Sequence, residues 1–188
     1  MQERLQESCS FCTGARAMVS VSSGVLSPTP PPIKKPPSGK LVALIGGPAA
    51  LLTVAIVGQF EGKRNDPYLD IVKVKTVCYG ETRVEMRRYS DAECKAMLSD
   101  GLADFAKPVL DRNPELRGHD NQLAAAISLA YNIGPANYRK STVARRFSEG
   151  RWKDACNAFM LWANAGGKRV QGLVNRRNTE RQLCLKGL

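Results

Sequence analysis

Residues Phe60 to Thr82 read FEGKRNDPYLDIVKVKTVCYGET and place Glu61, Asp70 and Thr76 at the spacing Glu-x8-Asp-x5-Thr. An uncharged apolar segment ends just before Glu61, and a hairpin turn between the later residues would let two carboxylates and a hydroxyl face one another. Glycosidic bond cleavage uses such a set: one carboxyl is protonated to donate to the leaving oxygen, and the other is ionised and works on the opposite face. Ile56, Val57 and Phe60 precede Glu61, so an apolar run packed as a helix desolvates that carboxyl and favours its protonated form. Asp70 sits among Asn65, Asp66, Lys73 and Lys75, a wet setting that keeps it ionised. The alternation Val72-Lys73-Val74-Lys75-Thr76-Val77 has the period of a strand, and its threonine can orient a water but cannot shuttle a proton at neutral pH. Two acids and a threonine at this separation also arise by chance, so the trio alone leaves a purely structural role open.

Later stretches narrow the choice. Leu129-Ala130-Tyr131-Asn132-Ile133-Gly134, Ser141-Thr142, the run WANAGGK from Trp162 to Lys168, and Gly172-Leu173-Val174-Asn175-Arg176-Arg177 with Glu180-Arg181 follow in that order. Together with the trio they resemble the phage lysozymes of glycoside hydrolase family 24, over about Gln59 to Cys184. The resemblance implies a mainly helical α+β fold, lysozyme-like, with a small β-hairpin lobe on a helical lobe and a cleft between them. It also implies hydrolysis of peptidoglycan between N-acetylmuramic acid and N-acetylglucosamine, with Glu61 as general acid and Asp70 and Thr76 holding the attacking water. Asn132 falls where that family lines its cleft, and Arg176 and Arg177 approach the site from the last helix; Asn132 and Arg176 are the expected substrate-binding residues. An arginine beside Glu61 would oppose the desolvation of its carboxyl. Many members continue after the threonine as Gly-x-Gly-His-Thr, whereas this chain has Cys78-Tyr79-Gly80-Glu81-Thr82. Glu81 is expected as a solvated turn residue.

Composition excludes several alternatives. A chain of 188 residues has room for one domain with a proper core plus a tail. The net charge of +11 suits nucleic acid, an anionic membrane or an acidic polymer. Aromatics are few and no nucleic-acid-binding signature accompanies the Lys and Arg, so no nucleic-acid partner is expected. Bacterial walls carry carboxylates on their stem peptides, which attract a basic enzyme. His119 is the single histidine, which leaves Ser-His-Asp or His-ligated zinc catalysis little to work with; no metal and no cofactor are expected.

Residues 1–40 hold Pro28-Thr29-Pro30-Pro31-Pro32 and Pro36-Pro37-Ser38-Gly39 with no periodic apolar face, the composition of a disordered tail. Cys9 and Cys12 form an isolated C-x-x-C pair, and Met18 is an alternative start. Residues 41–60, LVALIGGPAALLTVAIVGQF, are uncharged over twenty positions, long enough to cross a bilayer as a helix. Its glycines, Pro48, Thr53 and Gln59 make it a poor membrane segment, and Gly46-Gly47-Pro48 would interrupt a soluble helix. Lys34, Lys35 and Lys40 put the N-terminus in the cytoplasm by the positive-inside rule. Cleaved signal, permanent anchor and releasable anchor all compete; the third resembles the signal-arrest-release endolysins. That resemblance implies a signal anchor at 41–60 ahead of a catalytic domain at 61–188, export by the host Sec machinery, tethering at the inner membrane, release to the periplasm, a holin as functional partner, and a monomer. The competing reading from another class is a membrane-anchored wall-binding protein without activity.

Local signals mark the helices. Ser90-Asp91-Ala92-Glu93 is a capping box opening a helix to about Pro108. Asn121 to Asn132 reads as a central apolar helix closed by Gly134, with further helices at Ser141 to Glu149, Trp152 to Ala163 and Leu173 to Leu185. Cys78, Cys94, Cys156 and Cys184 all follow the apolar segment, an even number on the exported side. Of three possible pairings, Cys78–Cys94 and Cys156–Cys184 join elements that the implied fold brings together.

Overall fold

The computed structural model of this chain describes residues 39–70 and 73–188. The expectations of a disordered tail and of a role for Cys9 and Cys12 lie outside the described residues. The chain begins with helices α1 (Lys40–Ile45) and α2 (Gly47–Gly58), then strands β1 (Arg64–Leu69) and β2 (Lys75–Cys78). Six helices follow: α3 (Asp91–Arg112), α4 (Asp120–Ile133), α5 (Pro135–Lys140), α6 (Thr142–Ser148), α7 (Trp152–Ala158) and α8 (Gln171–Leu185). A short ribbon of β3 (Asn164–Ala165) and β4 (Lys168–Arg169) precedes α8. This is the mainly helical α+β architecture expected, with one small hairpin set against a helical body.

Helix α4 is the axis of the body. Every residue from Gln122 to Ala130 is buried, and α2, α3 and α8 pack around it. Ala124, Ala125 and Ala126 let neighbouring helices approach closely, while Leu123, Ile127 and Leu129 each contribute about 1.5–3 kcal/mol by leaving water. The apolar segment 41–60 supplies part of the same core: Leu41, Ala49, Ala50, Ile56 and Val57 are buried in it. Thr53, also buried, donates its hydroxyl to the Ala49 carbonyl at 2.7 Å, which satisfies the one polar side chain on that face. Gly46 breaks the segment at φ 83, a left-handed conformation that glycine adopts without the Cβ penalty. Among the described residues no helix is long and apolar enough to cross a membrane.

Three expectations need correction. Helix α3 does not stop near Pro108 but runs through it to Arg112. Proline removes one backbone donor, and buried Val109 and Leu110 on the next turn hold the chain helical regardless. The single helix expected over Trp152 to Ala163 is α7 followed by a 3-10 turn at Phe159–Trp162. Of the strand expected over Val72 to Val77, Val72 lies outside the described residues and Lys73 and Val74 form a turn ahead of β2, because Lys73 takes φ 61 and the Asp70 carboxylate accepts from the Val74 amide at 2.9 Å. Two elements went unread: α5, opened by Pro135 at its start, and the β3–β4 ribbon, whose Gly166 and Gly167 take φ 57 and 74 as a tight hairpin requires.

The capping box at the start of α3 is complete. Ser90 Oγ accepts from the Glu93 amide at 3.3 Å, and the Ser90 amide donates to Glu93 Oε2 at 2.8 Å. Arg87 above all, then Ser90, holds the Glu93 carboxyl down at about 2, from an ordinary 4.5. The folded value lies below the unfolded one, so the cap's contribution is full above pH 4.5 and is lost as pH falls towards about 2. Carboxyl-resolved NMR titration is expected to show Glu93 and the Ser90 amide moving together in that window.

Candidate active site

Helix α2 ends at Gly58, and the Phe60 and Glu61 amides fold back onto the Val57 carbonyl at 3.0 and 3.3 Å. That turn sets Glu61 at the tip of the apolar segment, its side chain 26% exposed. Glu61 Oε1 accepts from Arg176 Nη1 of α8 at 3.2 Å, across a sequence separation of 115 residues. The Arg176 guanidinium also lies over the Phe60 ring at 5.0 Å, so adjacent residues of one turn hold both its edge and its face.

Behind this pair is a buried charge cluster. Glu180 Oε1 accepts from Ser128 Oγ of α4 at 2.6 Å, from Arg177 Nη2 at 3.0 Å and from Arg176 Nε at 3.4 Å. Arg177 Nε lies 2.7 Å from Glu180 Oε2 as an ion contact rather than an aligned hydrogen bond. Burial pushes the Glu180 carboxyl above its ordinary range, opposed first by Arg177 and then by the Ser128 hydrogen bond and Arg176. The sequence reading gave Glu180 no role. An Arg-Arg-x-x-Glu run on one helix face, at separations of three and four, was the available signal.

Strands β1 and β2 pair antiparallel, with Tyr68 opposite Thr76 and Leu69 opposite Lys75. Asp70 directly follows the first strand. Its amide donates to the Val74 carbonyl at 3.0 Å and its carboxylate accepts from the Val74 amide, so the turn residue Val74 fixes it at both ends. Thr76 is buried, and its hydroxyl donates to the same Val74 carbonyl at 3.0 Å. Asp70 and Thr76 are therefore tied to one residue of one turn.

Beyond the hairpin a cleft of about 330 Å³ opens between the 78–83 loop, α3 and the end of α4, lined by Tyr79, Gly80, Glu81, Met97, Phe105 and Tyr131. Burial raises the Tyr131 hydroxyl above its ordinary value; the negative charge of Glu61 adds to this and Arg176 opposes it, so Tyr131 lies within the field of the Glu61–Arg176 pair. Phe105 meets its ring edge-on at 5.0 Å. Asn132, the next residue, is exposed on the last turn of α4. Glu81 is not the solvated turn residue expected: it bridges to Val77 just after the Tyr79-Gly80 turn, its side chain is 15% exposed, and Oε1 accepts from the Thr82 and Arg83 amides, each at 3.1 Å. Cys78 takes φ 58, a glycine-like conformation, where the Gly-x-Gly-His-Thr pattern has its first glycine. Its disulfide to Cys94 ties the end of β2 to the first turn of α3, and Cys156–Cys184 ties α7 to α8. His119, at the start of α4, stacks on Trp152 with ring centroids 4.5 Å apart, away from this chemistry.

A profile described as Phage lysozyme matches residues 58–180, from the last residue of α2 to the buried glutamate of α8. The chain belongs to the phage lysozyme family. Its relatives in that family include the SAR-endolysin of Bacteriophage PS119, 38% identical over 78% of this chain and 92% of the relative. The SAR-endolysin of Enterobacteria phage P21 is 38% identical over 84% of this chain and 98% of its own length. Among solved phage lysozymes, the active form of the P1 phage endolysin Lyz superposes with a TM-score of 0.60 at 26% identity, covering 79% of this chain and 92% of that one. A P22 lysozyme superposes at 0.62 and 26% identity, over 71% and 94%. The fold is thus lysozyme-like, and this phage lysozyme family member is a glycoside hydrolase of endolysin type.

Proposed function

We propose that this chain is a muramidase that cuts the β-1,4 linkage between N-acetylmuramic acid and N-acetylglucosamine of peptidoglycan. Glu61 protonates the leaving oxygen while Asp70 and Thr76 hold the attacking water, a division of labour between two carboxyl groups. Asn132 meets the glycan at the cleft wall, and Arg176 takes part through its contact with Glu61. The observation that carries this reading is the Glu61–Arg176 pair at 3.2 Å, whose charges reach the cleft residue Tyr131. Digestion of purified peptidoglycan followed by borohydride reduction and mass spectrometry tests it. Reduced muramic acid ends are expected; reduced glucosamine ends, anhydro-sugars or new peptide termini would overturn it.

The same proposal extends to delivery. Residues 41–60 act as a signal anchor that the host Sec machinery inserts with the N-terminus cytoplasmic. The protein waits at the inner membrane and is released to the periplasm, as a monomer, when a holin collapses the membrane potential. Support comes from the SAR-endolysin names of relatives and from a segment that is uncharged over its whole length yet contributes core residues to the folded domain. Replacing Gly46 and Gly47 by Leu acts on both ends of the equilibrium. Two leucines favour the bilayer by about 0.5 kcal/mol each, and a side chain at φ 83 strains the folded form by about 1–2 kcal/mol. Together these shift the partition by about 30- to 150-fold towards the membrane. Fractionation after an uncoupler is expected to show a depleted soluble pool and delayed lysis; unchanged partition would sink the release mechanism.

A further inference from the structure

Arg176, Arg177 and Glu180 leave one positive charge uncompensated inside the helical body, because two guanidinium groups face one carboxylate. The fourth charge arrives from another element. Glu61, directly after the apolar segment, brings a carboxyl whose ionised form makes the group two against two. Arg176 therefore has to satisfy carboxylates at both of its ends. Its Nε is 3.4 Å from Glu180 Oε1 and its Nη1 is 3.2 Å from Glu61 Oε1, with the Phe60 ring across its face. Its Nη2 is buried with no hydrogen-bond partner among the described residues, so no further contact on that nitrogen fixes its direction. Within the helical body Arg176 is held by Glu180, and Glu180 is held in turn by Arg177 of its own helix and, from the central helix α4, by Ser128 at 2.6 Å.

We infer that Ser128 and Glu180 are positioning residues for the reaction: Ser128 orients Glu180, Glu180 aims Arg176, and Arg176 holds the Glu61 carboxyl in its working place. This rests on Glu61 being the general acid. The relay spans α4, α8 and the turn after α2, so it registers the docked apolar segment against the helical body at the atom where a proton is to be delivered. A carboxyl misplaced by a fraction of a bond length still folds and still binds glycan, but transfers its proton badly.

The test is steady-state kinetics on soluble peptidoglycan fragments with Ser128→Ala and Glu180→Gln, each made in the wild-type and the Arg176→Gln background. In the wild-type background Glu180→Gln is expected to lower kcat on the order of ten-fold or more and Ser128→Ala about three-fold, with KM within about two-fold. In the Arg176→Gln background both changes are expected to have almost no further effect on kcat, because the route through Arg176 is already cut. Glu180→Asp, which keeps the charge, is expected to recover part of the loss. Losses that add in full across the two backgrounds, or that fall on KM, would make the cluster a packing feature only. If Glu180→Gln fails to fold, Ser128→Ala decides: it removes one hydroxyl, and an unchanged kcat would overturn the relay. Absence of hydrolysis by the wild-type protein would instead remove the muramidase reading itself.

Discussion

Glu61→Gln is expected to lower peptidoglycan hydrolysis on the order of 10³-fold while the protein stays folded, the range in which a general acid contributes. The amide keeps the size of the carboxyl and still offers an oxygen to Arg176 Nη1, so the turn after α2 retains its geometry. What disappears is the transferable proton. The stability change should be moderate, about 1–3 kcal/mol, because the amide oxygen still accepts from buried Arg176 but no longer balances its charge. Release of reducing ends, measured beside a thermal melt, separates the two effects. A variant that hydrolyses the wall within a few-fold of the wild type would leave residue 61 with only the structural role of balancing Arg176.

Loss of the Cys78–Cys94 bridge is expected to cost about 3 kcal/mol, from the conformational freedom regained by a loop closed over 16 residues. Its effect on activity should exceed its effect on the body of the protein. An isolated two-stranded hairpin is marginal in water, and this one is backed by a small cluster of Val77, Cys78, Tyr89 and Cys94, separate from the main core. Asp70 and Thr76 ride on that hairpin, and Cys78 keeps its left-handed φ beside them. Cys78→Ser with Cys94→Ser should therefore lower hydrolysis at temperatures where the helices remain intact. The matched control is Cys156→Ser with Cys184→Ser, which frees α7 from α8 across a separation of 28 residues. It should lower the melting temperature at least as much while sparing activity below the melt. Equal activity losses from the two double variants would mean that the hairpin needs no local staple.

Delivery and catalysis meet at one place in the chain. The segment 41–60 packs Ile56 and Val57 into the core and ends directly before Glu61, which Arg176 holds. Docking of α2 against α4 and α3 is thus the same event as presentation of the Glu61 carboxyl to Arg176 of α8. A segment held elsewhere leaves Arg176 without the Glu61 carboxyl, which under the proposed function would keep the enzyme silent until release.

Local chemistry was legible in the residues themselves. The capping box at Ser90 and Glu93, the glycine closing α4, the hairpin carrying Asp70 and Thr76, and the apolar run before Glu61 each depend on backbone and side chains within a few positions of one another. Such short-range signals survive in any context, so a linear reading finds them. Other features needed the folded body. Proline 108 stays inside a helix because the turn beyond it is buried, and β2 starts late because the Asp70 carboxylate takes a turn amide. The meeting of Glu61 with Arg176, and of Ser128 with Glu180, joins residues 115 and 52 positions apart. No local preference specifies those pairs. They form because α2 and α8 both bury their apolar faces on α4, and the charges carried beside those faces must then neutralise one another away from water.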